Sequence, residues 1–538
     1  MSPPRSENQS WNLASVWETI ADEIGGAPAL IHGERTISWR RFDDRAARLA
    51  TVFADHGVGH DSKVALYLYN GPEYLEATFA AFKARAVPVN VNYRYTEAEL
   101  LYLLTNADAE VIVADAALAP NLAALVPTLP LVKLVLVVGD GYDEAIAAAS
   151  PAPRIDRSPD DLWFLYTGGT TGMPKGVMWP HGSLLRTARP NFSGYGLATP
   201  TTLDEVAAAT RAIHDDHAPS RLLPAAPLMH GTSSISSLGA LCAAGAIVTL
   251  AGRHFDADEL LTAVATHHVT NLTIVGDAFA KPILAALERA EAAGEPCDVS
   301  SLQVIVSSGV MWSQPVKEAL LERVDASLAD LLGSSEGVGF ARSVAKRERS
   351  IPTARFRLGK HAQVFTDDGR AIEPGSGESG LLAVGGPIPV GYYKDPDKTA
   401  ATFRTFADRL WSVPGDVATV EADGSITLLG RGSACINTAG EKVFPEEVEE
   451  TLKTHPAVSD ANVIGVADEK WGSAVWAVVA LDDAAGEVPT VDQLRDHCRV
   501  TLAGYKCPKQ IVIVDHVRRG PNGKADYRWA RSVAEANA

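Results

Sequence analysis

The chain has 538 residues, more than one hydrophobic core can serve, so two or more domains are expected. With 46% hydrophobic and 21% charged residues it has the balance of a folded globular protein rather than a disordered one. Its net charge of −18, from 66 acidic against 48 basic residues, excludes a general nucleic-acid binder, which needs a basic footprint, but not a nucleotide, for which a few lysines and backbone N–H groups suffice.

The N-terminal stretch lacks the apolar run of a secretory signal, and residues 1–12 and 533–538 read as disordered ends. The run 64–68 reads as a strand and 73–85 as a helix, followed by strands over 111–114 and 132–138. Apolar runs such as 131–138 are too short to span a bilayer and read as buried strands, so a cytoplasmic protein is expected. Later strands are expected over 269–275 and 304–306, each after a helical stretch. Such alternation implies parallel α/β sheets. From about Leu358 the chain turns rich in Gly, Pro and Asp, and the runs 381–384 and 425–429 suggest short antiparallel strands. Beyond Arg431 a compact α+β segment is expected: helix 446–454, strands 461–466 and 475–481, helix 491–501 and strand 510–514. The five cysteines form no C-x-x-C pair, so neither a disulfide framework nor a zinc site is indicated.

The most informative stretch follows the apolar run 162–165: Thr167, Gly168, Gly169, Thr170, Thr171, Gly172, then Met173, Pro174, Lys175 and Gly176. Glycines let a backbone turn its N–H groups inward around an anion, threonine hydroxyls add donors, and Lys175 adds a compact charge. It is not a Walker loop, because G-x-x-x-x-G-K-[ST] cannot be laid on it, and no helix start follows. The plain alternative is a flexible surface turn, which rarely packs so many hydroxyls and glycines behind a buried strand.

This segment resembles the signature of the adenylate-forming superfamily, which holds acyl-CoA synthetases, luciferases and peptide-synthetase adenylation domains. Five further motifs follow in that family's order. Leu332, Gly333, Ser334, Ser335 and Glu336 resemble its aromatic-Gly-x-Thr-Glu motif, with Leu332 in place of the aromatic and Ser335 in place of Thr. Gly415–Asp416 and Gly430–Arg431 resemble its ribose-binding motifs, although Ser433 and Ala434 replace the usual Lys-Asp hinge pair. Residues 438–449, with Gly440 and Lys442, match its pantetheine-side loop, and Pro521-Asn522-Gly523-Lys524 its final motif. The resemblance, from about Thr36 to Tyr527, implies stacked α/β sheets plus a small antiparallel barrel-like part over residues 1–431. It also implies a small mobile α+β domain over 432–538.

What the resemblance implies for chemistry is specific. ATP, Mg²⁺ and coenzyme A are the expected cofactors, with Mg²⁺ on Glu336 and Thr171. Asp416 and Arg431 would bind the ribose, Ser308 and Gly309 the nucleotide, and Lys524 the reacting carboxylate and α-phosphate. His230, Asp277, Gly309, Met311 and Trp312 would shape the acid pocket, and Lys506 would meet CoA phosphates. The wording of 311–317 and 430–450 looks most like bacterial fatty-acyl or steroid-side-chain CoA ligases, and a homodimer is carried along as an expectation. Two alternatives stand beside this reading. One is adenylation with a carrier-protein phosphopantetheine as acceptor. The other is a serine hydrolase, because residues 333–337 also match G-x-S-x-G, with Asp416 and His455 following Ser335. An elbow needs a strong strand before it, which the aspartate-bearing run 326–332 does not promise.

Overall fold

The computed structural model describes residues 11–537 except 168–172, 311, 348–351, 439–440, 469–471, 483–487 and 521–522, and excludes the side chains at 433, 442 and 472. Among the described residues, a seven-stranded sheet runs Gly391–Tyr392, Lys175–Pro180, Leu162–Thr167, Val87–Asn90, Lys63–Tyr67, Ala109–Asp115, Leu134–Val138. Lys63–Tyr67 is buried at every position, as a parallel strand covered on both faces must be. The run expected as a buried strand over 131–138 is instead the sheet's edge: only Leu136 is buried in the Leu134–Val138 strand, and Leu131 is 49% exposed.

A second, fifteen-stranded sheet joins two textures in one ladder. Its parallel part contains Arg221–Pro224, Asn271–Ile274, Val304–Ser308 and Ser327–Ser334. Its antiparallel part, which includes Gly337–Ala345, Ser379–Val384, Asp416–Val420 and Ser425–Arg431, continues the same hydrogen-bonded surface. Asp330 can sit within a strand because its buried carboxylate pairs with Lys317 at 3.1 Å. The parallel strands Val304–Ser308 and Ser327–Ser334 end side by side, and the C-terminal ends of such strands are where ligands of open α/β sheets bind.

The large sheet's chain leaves it at Arg431, and the next strand, Ile436–Thr438, pairs in a separate sheet with Glu441–Val443. Beyond it, Val458–Asp468, Gly472–Leu481 and Gln510–Val514 form a three-stranded sheet. Val448 and Leu452 of helix Pro445–Lys453 and Leu494 and Cys498 of helix Val491–Thr501 share one core with Val463, Val475 and Ala477. Lys281 reaches this unit from the larger one, its Nζ donating to the Ser459 carbonyl at 2.6 Å. The ends are more ordered than expected: Asn12 caps helix Leu13–Ile24, and helix Tyr527–Glu535 occupies part of the presumed tail. No described helix is long and apolar enough to cross a membrane.

Candidate active site

Two strand ends and one helix start build the site. After Val304–Ser308 the chain turns at Gly309, whose φ of +96° suits glycine. A Cβ placed there would lie 3.9 Å from Lys524 Cε and 3.8 Å from Thr232 Oγ1. Lys524, some two hundred residues downstream, therefore reaches the same spot as the first turn of helix Gly231–Cys242, which His230 precedes. A Cβ on Gly333 would lie 3.8 Å from Ser308 Oγ, so the turn carrying Ser335 and Glu336 is the adjoining wall.

The turn carrying Glu336 and the strand starting at Lys175 are both held by segment 391–395. Tyr392 donates its hydroxyl to Glu336 Oε1 at 2.7 Å, Asp395 is ion-paired to Lys175, and Trp179 Nε1 donates to the Ser335 carbonyl at 2.9 Å. Thr167 pairs with Lys175 across the two strands that flank the glycine-rich loop. Asp416 and Arg431 are register partners, and Arg431 Nε donates to Asp416 Oδ1 at 3.2 Å.

Burial sets the charges. The Lys524 side chain stays open to solvent within the cleft, yet protein surrounds the cleft. Its pKa is lowered first by this desolvation and next by the Arg431 guanidinium, with Glu336 and Asp416 opposing. His230 is pushed down to about 4, chiefly by burial and then by Lys524 and Arg94, so its imidazole is neutral at pH 7. Its Nε2 is buried without a hydrogen-bond partner among the described residues, poised for a ligand atom. The loop leading to His230 is tied down by asparagines. Asn90 donates to the Tyr166 carbonyl at 2.9 Å and the Met229 carbonyl at 2.6 Å, and accepts from the Tyr166 N–H at 2.6 Å. One buried side chain thus joins the strand entering the phosphate loop to the loop presenting His230. Asn70 does the same beside it, bonding Ala226 and Leu228.

Glu336 is a single hard carboxylate, and among the described residues no three His, Cys, Asp or Glu side chains converge as metal ligands. Such a donor set fits Mg²⁺ arriving on nucleotide phosphates, which needs only one or two protein carboxylates.

Comparison with known proteins agrees with this geometry. Residues 17–393 match the family model described as AMP-binding enzyme, and residues 447–524 match the AMP-binding enzyme C-terminal domain. The chain belongs to the AMP-binding enzyme family. It is 41% identical over 540 residues to a medium/long-chain-fatty-acid–CoA/3-oxocholest-4-en-26-oate–CoA ligase of Mycolicibacterium smegmatis, covering 97% of this chain and 96% of that protein. It is 40% identical to the 3-oxocholest-4-en-26-oate–CoA ligase of Rhodococcus rhodochrous, covering 97% and 95%. The fold is shared with an anthranilate CoA ligase solved with anthranoyl-AMP, at a TM-score of 0.83, 21% identity and 98% coverage of both chains.

Within this AMP-binding enzyme, the residues expected at the site divide into groups. His230, Ser308, Gly309, Gly333, Ser334, Ser335, Glu336 and Lys524 line one region, with Asp416 and Arg431 alongside. Leu332 packs partly against the main core. Gly168, Gly169, Thr170, Thr171, Gly172, Met311 and Gly440 lie outside the described residues, as does the Lys442 side chain. Trp312 is not a free pocket wall: it is fully buried in the core, with Lys317 Nζ 5.6 Å from its ring centre. Asp277 does not cap its own helix but opens it, and its Oδ1 accepts the Ser313 N–H at 2.9 Å ahead of helix Gln314–Arg323. Lys506 is paired with Glu447 at 2.7 Å.

The hydrolase alternative fails at the element after Ser335. A full strand, Ser327–Ser334, does precede it, contrary to expectation, but the chain returns as strand Gly337–Ala345 instead of the helix an elbow requires. His455 packs against His497 in the C-terminal unit. Sequence reasoning missed Asn90, Tyr392 and Asp395, which carry no motif. A polar Asn inside the apolar run 87–91 was the one available signal.

Proposed function

We propose that this acid–CoA ligase activates a hydrophobic carboxylic acid, a fatty or steroid-side-chain acid, as its acyl-adenylate and transfers the acyl group to coenzyme A. In the first half-reaction a carboxylate oxygen attacks the α-phosphorus of ATP, the bond to the β-phosphate oxygen breaks, and pyrophosphate leaves. In the second, the CoA sulfur attacks the acyl carbon, the acyl–oxygen bond breaks, and AMP leaves. The observation that carries the reading is Lys524 meeting the Gly309 turn between Thr232 and the Asp416–Arg431 pair. An ammonium there offsets the charge that gathers between carboxylate and α-phosphate. Neutral His230, with a vacant buried nitrogen, orients the acid. Asp416 takes the ribose hydroxyls, and the loop over 167–175 holds the β- and γ-phosphates. Mg²⁺ bound to ATP and Glu336 would supply Lewis-acid stabilisation of those phosphates.

The names of the relatives, at about 40% identity across nearly the whole chain, support both the CoA acceptor and the substrate class. The C-terminal unit is read as beginning near Gly432 and as turning between the half-reactions, removing Lys524 and bringing up the loop over 438–442. ATP–pyrophosphate exchange across short, medium, long, aromatic and steroid-like acids tests the substrate. Exchange is expected with medium, long or steroid-like acids, followed by CoA-dependent AMP release. Exchange without AMP release on adding CoA would instead favour a carrier-protein acceptor.

A further inference from the structure

Glu446 stands in the first turn of helix Pro445–Lys453, directly after the connector that leaves the large sheet at Arg431. Its side chain reaches back across that connector. Oε1 accepts the Arg431 N–H in a long hydrogen bond of 3.4 Å. Oε2 is buried without a hydrogen-bond partner among the described residues and lies against Gly430, where a Cβ would be only 2.3 Å from it. Gly430 has φ +132°, so this position both needs glycine and leaves room for the carboxyl. The residue so held is Arg431, whose guanidinium pairs with Asp416.

We propose that Glu446 is a positioning residue for adenylation: it fastens the C-terminal unit to Gly430 and Arg431 and so sets the Arg431–Asp416 pair for the nucleotide. The inference rests on the two-step ligase reading above. Any rotation about residues 432–435 carries Glu446 away from Gly430 and Arg431, so the contact belongs to the arrangement that also places Lys524 at Gly309. It therefore favours one half-reaction over the other. Its setting also makes it sensitive to protonation. Burial pushes its carboxyl up to about 7, with Asp416 raising it further while the Arg431 backbone and guanidinium oppose. Glu449 on the same helix is raised to about 8, chiefly by burial and then by Glu446, with Lys453 and Arg519 opposing. Glu336 and Lys524 lie beyond Arg431. A carboxyl raised from 4.5 to about 7 favours the docked contact fully below pH 4.5, and that preference is lost as pH rises from 4.5 to 7.

The test measures the half-reactions separately on the full-length protein: acid-dependent ATP–pyrophosphate exchange, and CoA-dependent AMP release from supplied acyl-adenylate. Glu446→Ala should lower exchange about tenfold, the scale of one lost buried hydrogen-bond partner, and leave AMP release within about twofold. Glu446→Gln, an uncharged acceptor of the same length, should restore exchange and flatten its decline between pH 4.5 and pH 7. Gly430→Ala should reproduce the Glu446→Ala pattern by displacing the carboxyl. Equal loss of both half-reactions in Glu446→Ala, unchanged exchange, or failure of Glu446→Gln to restore it overturns the proposal. Should Glu446→Ala not fold, Glu446→Gln and Gly430→Ala decide alone. Absence of both half-reactions in the unsubstituted protein would instead sink the ligase reading.

Discussion

Lys524 and His230 share one cleft, and burial acts on both by disfavouring the charged form. For His230 the result is a neutral ring; for Lys524 the carboxylates of Glu336 and Asp416 oppose the downward shift. Lys524→Ala should lower ATP–pyrophosphate exchange by about a hundredfold or more, the range for removing one preorganised electrostatic group, while sparing AMP release from supplied acyl-adenylate. Comparable loss in both assays would refute a lysine used in only one step. Burial also links a histidine to stability. His181, set edge-on to Phe82 with ring centres 4.3 Å apart, is pushed down from 6.5 to about 3 by burial. The unfolded chain then binds more protons than the folded one between these values, so this group's effect is to lower stability as pH falls below 6.5. The thermal midpoint should decline from pH 7 to pH 4.5, and less steeply in His181→Asn; parallel declines would remove His181 as a cause.

At the scale of elements, the site depends on side chains that stitch loops to strand ends. Asn90 is 3% exposed and satisfies backbone groups at Tyr166 and Met229 that nothing apolar could satisfy. Asn90→Ala should cost about 1–3 kcal/mol in urea unfolding, because it leaves buried polar groups unpaired. It should also raise the KM for the acid through displacement of His230, and an unchanged stability would show the stitch to be dispensable. Tyr392→Phe removes the hydroxyl that orients Glu336. Exchange activity in that variant should need more magnesium to reach half its maximum, and an unaltered magnesium curve would exclude the role. The hairpin carrying Ser335 and Glu336 shows the limit of local pattern. Residues 333–336 belong to two motifs as text, and the direction of the next element separates them.

At the scale of the molecule, the two units meet through Lys281 and Ser459, through Glu446 and Arg431, and at Lys524. A short bismaleimide joining Lys281→Cys to Ser459→Cys should preserve pyrophosphate exchange and suppress AMP release from supplied acyl-adenylate. Retention of both activities in the crosslinked protein would rule out a rotation between steps.

Much of this organisation was legible in the sequence because it is local. Apolar runs placed the strands, apolar spacing placed the 491–501 helix, and the glycine–threonine loop pointed to phosphate chemistry. The chain alone determined two sheet textures and a small α+β unit after Arg431. Tertiary structure decided the rest: that Trp312 fills the core, that 134–138 is an edge strand, that Asp277 serves a neighbouring helix, and that Asn90, Tyr392 and Glu446 bond to Met229, Glu336 and Arg431. The reason is physical. Periodicity and propensity act over a few residues, whereas the burial and hydrogen-bond partner of a side chain are fixed by chain segments hundreds of residues away.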